Sequence, residues 1–278
     1  MLTVNGYTKL LAVIGDPIGH TLSPQLHNYI SEKMGNNYVY TALRVEPKNI
    51  PEAIAGMRAL GIAGINATVP HKYAVMDYID KIDEQALRLG SVNTIVNRGG
   101  VLYGYNTDAD GFYRAAQHDG ITFEGKDILI LGAGGAAKPL CVFLSEKDVR
   151  SITVCNRTAA KARELAAYVK KTNGFDVSCE MDRPRYDVVI NATSAGMEPN
   201  IDTCALTDFS VIDQNTAAID IVYKPAKTLF LRKAEEKGAK IQNGLGMLIN
   251  QGIIAYEYFT DTKVSEETAE ELMRMLGE

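Results

Sequence analysis

Residues Ile128–Leu131 (ILIL) form an unbroken apolar run that leads directly into Gly132-Ala133-Gly134-Gly135-Ala136-Ala137. This is a G-x-G-x-x-A pattern that follows a strand and opens a helix, which is the arrangement of a dinucleotide-binding turn. Gly132 permits the tight turn, Gly134 lets the backbone approach a pyrophosphate, and Ala137 lets the helix pack closely on the strand. The helix N-terminus then offers free N–H groups and a positive dipole end to the phosphates. Such a turn commits its surroundings to a parallel, doubly wound sheet. A second glycine pattern, Gly120–Lys126, matches G-x-x-x-x-G-K, but Asp127 follows it where Ser or Thr is required, and it precedes a strand. It is not a phosphate loop.

The next strand, Ser151–Cys155, ends at Asn156-Arg157-Thr158. An NAD site places Asp or Glu there to hold the ribose 2′-OH. No carboxylate is present. Arg157 can lie against adenine and pair with a 2′-phosphate, Asn156 and Thr158 can donate to the same phosphate, and Lys138 adds charge. The expected cofactor is therefore NADP.

Apolar strands and amphipathic segments alternate along the whole chain, which reads as α/β with largely parallel sheets. In the first half, Leu10–Gly15, Tyr38–Val45 and Ile62–Thr68 read as strands. Pro24–Met34 reads as a helix with Ser23 as its N-cap. Asn49–Leu60, His71–Ile79, Asp83–Leu89 and Asp108–His118 read as further helices. Val92–Asn97 and Val101–Tyr105 form a hairpin around Arg98-Gly99-Gly100. In the second half the expected helices are Gly135–Ser145, Ala159–Lys171 and Thr228–Lys237, and the expected strands are Asp187–Ile190 and Ala217–Ile221. Helices Gly246–Phe259 and Ser265–Leu276 close the chain. The expected organisation is an α/β substrate domain, residues 1–112 completed by 246–278, and a doubly wound NADP domain, residues 113–245.

Composition narrows the function. The 278 residues carry a net charge of −5, which argues against a nucleic-acid partner. No apolar run approaches the ~20 residues of a membrane span. Met1–Lys9 lacks the pattern of a secretory signal, and the four cysteines match no zinc spacing. No metal and a cytoplasmic location are expected, with the chain a monomer or homodimer.

Five polar clusters are expected at the C-terminal ends of apolar strands, where α/β proteins bind ligands: Gly15–Pro24, Asn66–Lys72, Ser91–Thr94, Gly104–Asp108 and Gly244–Met247 with Asn250 and Gln251. Taken singly, Thr21 or Ser23 could be a helix cap, Lys72 a surface lysine and Asp108 an N-cap. Taken together, the hydroxyls, amides, one ammonium and one carboxylate suit a small polyhydroxylated acid.

The stretches GDPIGHTLSPQLHN (15–28), NATVPHK (66–72), SVNTI (91–95), GYNTDADG (104–111), LGAGGAA (131–137), NRT (156–158), NATSAGM (191–197), DIVYKPAKT (220–228) and GLGMLINQG (244–252) together resemble the shikimate dehydrogenase family over almost the whole chain. The resemblance implies an NADP-linked enzyme that interconverts 3-dehydroshikimate and shikimate in aromatic amino-acid biosynthesis. By motif match, Thr21 and Ser23 hold the substrate carboxylate. Asn66, Thr68, Asn93, Asp108 and Gln251 bind ring hydroxyls, and Lys72 and Asp108 form the catalytic pair. Gly132, Gly134, Gly135 and Ala136 take the pyrophosphate, and Asn156, Arg157 and Thr158 take the 2′-phosphate. Thr193, Met197, Gly244 and Met247 surround the nicotinamide, with Tyr223 on the substrate side. Thr21 stands where family members often carry Ser, which keeps a dual quinate/shikimate dehydrogenase as an alternative. A non-catalytic NADP-binding regulator would have no reason to keep Lys72, Asp108 and the hydroxyl-binding set together.

Overall fold

The computed structural model describes residues 4–277. In chain order the elements of the first part are β1 (Lys9–Gly15), α1 (Ser23–Lys33), β2 (Tyr38–Arg44), α2 (Ile50–Ala59), β3 (Gly64–Ala67), β4 (Lys81–Ile82), α3 (Glu84–Leu89), β5 (Thr94–Arg98), β6 (Val101–Tyr105) and α4 (Asp108–His118). There follow β7 (Asp127–Leu131), α5 (Ala137–Ser145), β8 (Ser151–Cys155), α6 (Ala159–Asn173), β9 (Val177–Ser178), β10 (Val188–Asn191), β11 (Ala217–Asp220), α7 (Leu229–Glu236), β12 (Lys240–Gln242), α8 (Leu245–Thr260) and α9 (Glu266–Gly277). They divide into two compact units, 4–111 with 248–276, and 112–247.

The first unit is built on a sheet of order β2-β1-β3-β5-β6-β4. β1 pairs parallel with β2 and β3, and β4 pairs parallel with β6. β5 runs antiparallel to both of its neighbours. Successive side chains of a strand point to opposite faces. Ala12 and Ile14 of β1 accordingly join Ile50, Ile54 and Met57 of α2 in one core, while Leu11 and Val13 join Ala255 and Phe259 of α8 in another. Full burial of side chains such as Ile54 or Met57 contributes ~1.5–3 kcal/mol each. At Gly64 the ring of Phe259 takes the space a Cβ would need, which would stand 2.1 Å from Phe259 Cδ1.

The second unit carries a sheet of order β12-β11-β10-β7-β8-β9 with every ladder parallel. Read from β9, this is the 3-2-1-4-5-6 order of a doubly wound dinucleotide fold. β7 and β10 are buried at every residue, as strands covered on both faces must be.

Several local expectations change. Ser23 is the first helical residue of α1, after Leu22, and its backbone N–H donates to Thr21 Oγ1 at 3.2 Å. The expected helix over 71–79 is instead a loop with a 3-10 turn at Ala74–Tyr78. The Lys72 carbonyl accepts from Val92 N–H at 2.9 Å and is lost to an α-helical ladder, so Met76 N–H bonds to Tyr73 O. β4, β9 and β12, of two or three residues each, carry no periodic signal of their own. α5 begins at Ala137, two residues later than expected, because 134–136 form the turn itself.

Candidate active site

Strand direction gathers four of the polar clusters on one edge of the first sheet. The Gly15–Pro24, Asn66–Lys72 and Gly104–Asp108 clusters begin at the C-terminal ends of β1, β3 and β6. Ser91–Thr94 leads into β5 instead of following it, and reaches the same edge because β5 is antiparallel. The registers Asn66↔Thr94 and Thr94↔Tyr105 bring the clusters side by side.

At this edge Lys72 Nζ donates to Asp108 Oδ2 at 2.7 Å, with only 18% and 12% of the two side chains exposed. Asp108 is the first residue of α4, and its backbone N–H is taken by Asn106 Oδ1 at 3.0 Å. Asn106 therefore does the capping, and the Asp108 carboxylate remains for Lys72. The Thr21 and Ser23 hydroxyls lie 3.1 Å apart. Asn66 and Asn93 are buried polar residues and hydrogen-bonded, as groups taken from water must be. The Thr68 methyl occupies the space beside Gly15, where a Cβ would stand 2.6 Å from it. Gln251 Nε2 donates to Leu248 O at 2.8 Å. The Gln251 backbone packs on Gly111, where a Cβ would lie 2.6 Å from Gln251 N. Gly111 is three residues from Asp108 on the same face of α4, so Gln251 and Asp108 belong to one neighbourhood.

The second unit is suited to a dinucleotide. Gly132 has φ +111, a conformation L side chains rarely adopt, and a Cβ there would meet Thr193 Cγ2 at 2.9 Å and Ala192 O at 3.0 Å. This contact joins the ends of β7 and β10, the point where the strand order reverses and where such sheets bind ligands. At Gly134 a Cβ would meet nothing within 4 Å, so the backbone is open to an approaching phosphate. At the end of β8, Asn156 Nδ2 donates to Thr158 O at 2.9 Å and shapes the loop, with Arg157 exposed. Thr158 precedes α6 with no side-chain cap, so its hydroxyl is not committed to the helix. These features fit an NADP adenosine half.

The other expected nucleotide contacts are framed by a residue that the motifs did not single out. Asp220, fully buried at the end of β11, accepts from Thr228 Oγ1 at 2.6 Å, Val222 N at 2.9 Å and Asn191 Nδ2 at 3.0 Å. Burial pushes its carboxyl pKa up, against the pull of these donors. Asn191 in turn accepts from Thr193 N and Oγ1 and donates to Ala195 O. The Thr193 hydroxyl, which also accepts from Ala195 N, is thus spent on its own loop. Met197 is exposed, Met247 is partly exposed, and Tyr223 is half-buried with its phenol pKa raised by burial. Gly244 passes so close to β11 that a Cβ would overlap Ile221 O.

Three family models match the chain along most of its length. The shikimate dehydrogenase substrate binding domain matches residues 13–95, shikimate / quinate 5-dehydrogenase matches 114–223, and the shikimate 5′-dehydrogenase C-terminal domain matches 244–274. A Geobacillus sp. (strain WCH70) protein named shikimate dehydrogenase (NADP(+)) is 42% identical over 91% of this chain and 92% of its own length. The chain belongs to the shikimate dehydrogenase family. Among solved structures of that family, the Listeria monocytogenes enzyme in complex with shikimate and NAD superposes with a TM-score of 0.91 at 33% identity, covering 98% of each chain. The Thermus thermophilus enzyme in complex with NADP(H) and shikimate gives 0.87 at 33% identity, covering 96% of this chain and 99% of that one.

The motifs do not single out Tyr40, Thr94 or Thr107, whose side chains hydrogen-bond Asn66 and Asn93, nor Asn106 and Asp220. Thr94, Asn106 and Thr107 lie inside the polar clusters, and Asp220 opens the stretch DIVYKPAKT. Tyr40 gave no signal, because an aromatic residue in a strand reads as core.

Proposed function

We propose that this chain is an NADP-dependent oxidoreductase that interconverts 3-dehydroshikimate and shikimate, a step of aromatic amino-acid biosynthesis. The observation that carries the reading is the partly buried Lys72–Asp108 pair, 2.7 Å long, set among amides and hydroxyls on one sheet edge. Membership of the shikimate dehydrogenase family and the Geobacillus relative's name support it.

Gly132, Gly134, Gly135 and Ala136 would hold the pyrophosphate of NADP, and Asn156, Arg157 and Thr158 its 2′-phosphate. Thr193, Met197, Gly244 and Met247 would frame the nicotinamide, with Tyr223 on the substrate side. When bound, the nicotinamide supplies or accepts the hydride. The Thr21 and Ser23 hydroxyls would hold the substrate carboxylate, and Asn66, Thr68, Asn93, Asp108 and Gln251 the ring hydroxyls. In reduction, negative charge grows on the carbonyl oxygen. Lys72 Nζ stabilises it and delivers the proton there as general acid. In oxidation, neutral Lys72 accepts the hydroxyl proton. Asp108 aims Lys72 and bonds a neighbouring hydroxyl.

The four cysteines are free thiols, in keeping with a cytoplasmic place, and we take the chain to act as a monomer or homodimer. Thr21 favours one second reading, a dual quinate/shikimate dehydrogenase, since its added methyl alters the carboxylate end of the site. Absorbance at 340 nm with shikimate or quinate, each with NADP⁺ or NAD⁺, separates the readings. Turnover with shikimate and NADP⁺ alone is expected. Comparable quinate turnover moves the assignment to the dual enzyme, and no turnover in any pairing overturns both.

A further inference from the structure

The hydrogen bonds around Asn66 fix its polarity. Its Nδ2 donates to Asn93 O at 3.0 Å and to Thr94 Oγ1 at 3.0 Å. A backbone carbonyl can only accept, so the amide cannot be flipped, and both N–H bonds are consumed. Oδ1 is turned the other way, where it accepts from the Tyr40 hydroxyl at 2.7 Å. Tyr40 is 2% exposed. Its ring stacks on His27 with centroids 4.1 Å apart. Asn93 is fixed in the opposite sense. The Thr107 backbone N–H can only donate, and does so to Asn93 Oδ1 at 2.9 Å. Asn93 Nδ2 therefore faces Thr107 Oγ1 at 2.9 Å with one N–H to spare.

We propose that Tyr40 and Thr94 are positioning residues of the reaction, which clamp the Asn66 amide so that one Oδ1 lone pair is all it can offer a substrate. Asn66 is then an acceptor only, beside Asn93 whose free group is a donor only. A ring hydroxyl can satisfy Asn66, and a carbonyl cannot. The pair thereby discriminates between a hydroxyl and a ketone at that ring position and opposes a reversed binding pose. This inference rests on the reading of Asn66 as a substrate ligand given above.

The test is steady-state shikimate oxidation with NADP⁺ by the full chain carrying Tyr40→Phe or Thr94→Val, each alone and combined with Asn66→Ala. Tyr40→Phe keeps the ring and its stack. Loss of one buried hydrogen bond corresponds to about 5–10-fold. Tyr40→Phe is expected to raise KM for shikimate by that factor, with kcat within about threefold and KM for NADP⁺ unchanged. Thr94→Val should act in the same direction; the Thr94 hydroxyl also donates to Asn93 Oδ1 at 2.9 Å, so its effect should shrink only in part in the Asn66→Ala background, whereas that of Tyr40→Phe should shrink below about 1.5-fold there. A purely structural role would leave them undiminished there, which overturns the proposal. If Tyr40→Phe does not fold, the Thr94→Val cycle decides alone. A wild-type chain that oxidises no shikimate refutes the functional reading itself. An active chain whose Asn66→Ala variant keeps the wild-type KM removes Asn66 from the site and the proposal with it. A raised KM in Asn66→Ala, with both positioning variants at wild-type values, overturns the proposal alone.

Discussion

Lys72→Ala tests the chemistry most directly. The ammonium sits 2.7 Å from Asp108, with 18% of its side chain exposed, so it acts in a partly dehydrated setting where a fixed charge counts for more than in water. Positioned proton transfer is worth about 10²–10⁴ in rate, and one stabilising donor at a developing oxyanion about 10²–10³. One group performs both, so the contributions do not simply multiply. A kcat loss of about 10³–10⁵, or roughly 4–7 kcal/mol, follows. The variant also strands the Asp108 carboxylate, 12% exposed. Breaking a fully buried pair costs about 3–5 kcal/mol and an exposed one under ~1, so a stability loss of roughly 1–3 kcal/mol is expected by chemical denaturation. NADPH affinity, followed by nucleotide fluorescence, should not change, because the glycine turn and Arg157 belong to the other unit. Lys72→Arg separates the two roles. It keeps a cation for Asp108 but cannot give up a proton, so folding stability should recover while kcat stays at least 100-fold down. If Lys72→Ala turned over within tenfold of wild type at saturating substrate, Lys72 would not be the acid and the mechanism would fall.

Arg157→Ala should raise KM for NADP⁺ by about 10–100-fold, the value of a charge-assisted hydrogen bond, and raise KM for NAD⁺ far less, through the lost adenine contact alone. Equal effects on both nucleotides would refute the 2′-phosphate assignment. Gly244→Ala places a Cβ on Ile221 O, so it should lower Tm by several degrees or prevent folding, whereas Ala at Gly134, where nothing lies within 4 Å, should leave Tm unchanged. His27 is fully buried against Tyr40, Tyr256 and Phe259, and burial lowers its pKa from 6.5 to about 3. The unfolded chain then binds the extra proton below pH 6.5 and the folded chain does not. Stability is therefore full above that pH and falls as pH drops toward 3, by about 2 kcal/mol at pH 5. Comparing urea unfolding at pH 7 and pH 5 for wild type and His27→Phe should show that much less acid loss in the variant. Identical losses would show that His27 does not carry the effect.

The doubly wound unit was the more legible half because its signals are local. Four buried residues in a row at Ile128–Leu131 and a glycine turn behind them admit one local structure, and the parallel ladders on both sides of β7 follow from it. The first unit was less legible because its site depends on a pairing that the sequence does not state. The hairpin read at 92–105 makes β5 antiparallel to β6 but does not say that β5 also pairs with β3, and it is that pairing which brings Asn93 beside Asn66. The 71–79 segment has a helix-like composition, and it was the non-local bond from Val92 N–H to the Lys72 carbonyl that prevented a helix. Tyr40 could not be singled out at all, since its partner Asn66 lies 26 residues away on a strand that is not its neighbour.

The ambiguity at Thr21-x-Ser23 and Asn106-x-Asp108 has a common physical origin. A short polar side chain before a helix is stabilising as a cap, so a catalytic or binding residue in that place competes with a structural role for its own oxygen. Here the residue two positions earlier takes the structural role in both cases. Thr21 Oγ1 accepts from Ser23 N–H, and Asn106 Oδ1 accepts from Asp108 N–H. The side chains of Ser23 and Asp108 are relieved of capping and stay available, Asp108 to Lys72 and Ser23 to a ligand. At 106-x-108 one member thus serves the backbone and the other the chemistry, while at 21-x-23 Thr21 Oγ1 accepts from the backbone and still has a hydroxyl hydrogen to donate. Asn106→Ala should accordingly damage activity more than its distance from the reacting atoms suggests. With its own amide N–H unpaired, Asp108 would lose the fixed start of α4 that aims its carboxylate at Lys72. The expected result is a kcat loss of about tenfold with KM for NADP⁺ unchanged, and an unaltered kcat in a folded Asn106→Ala variant would show that the cap does not aim the pair.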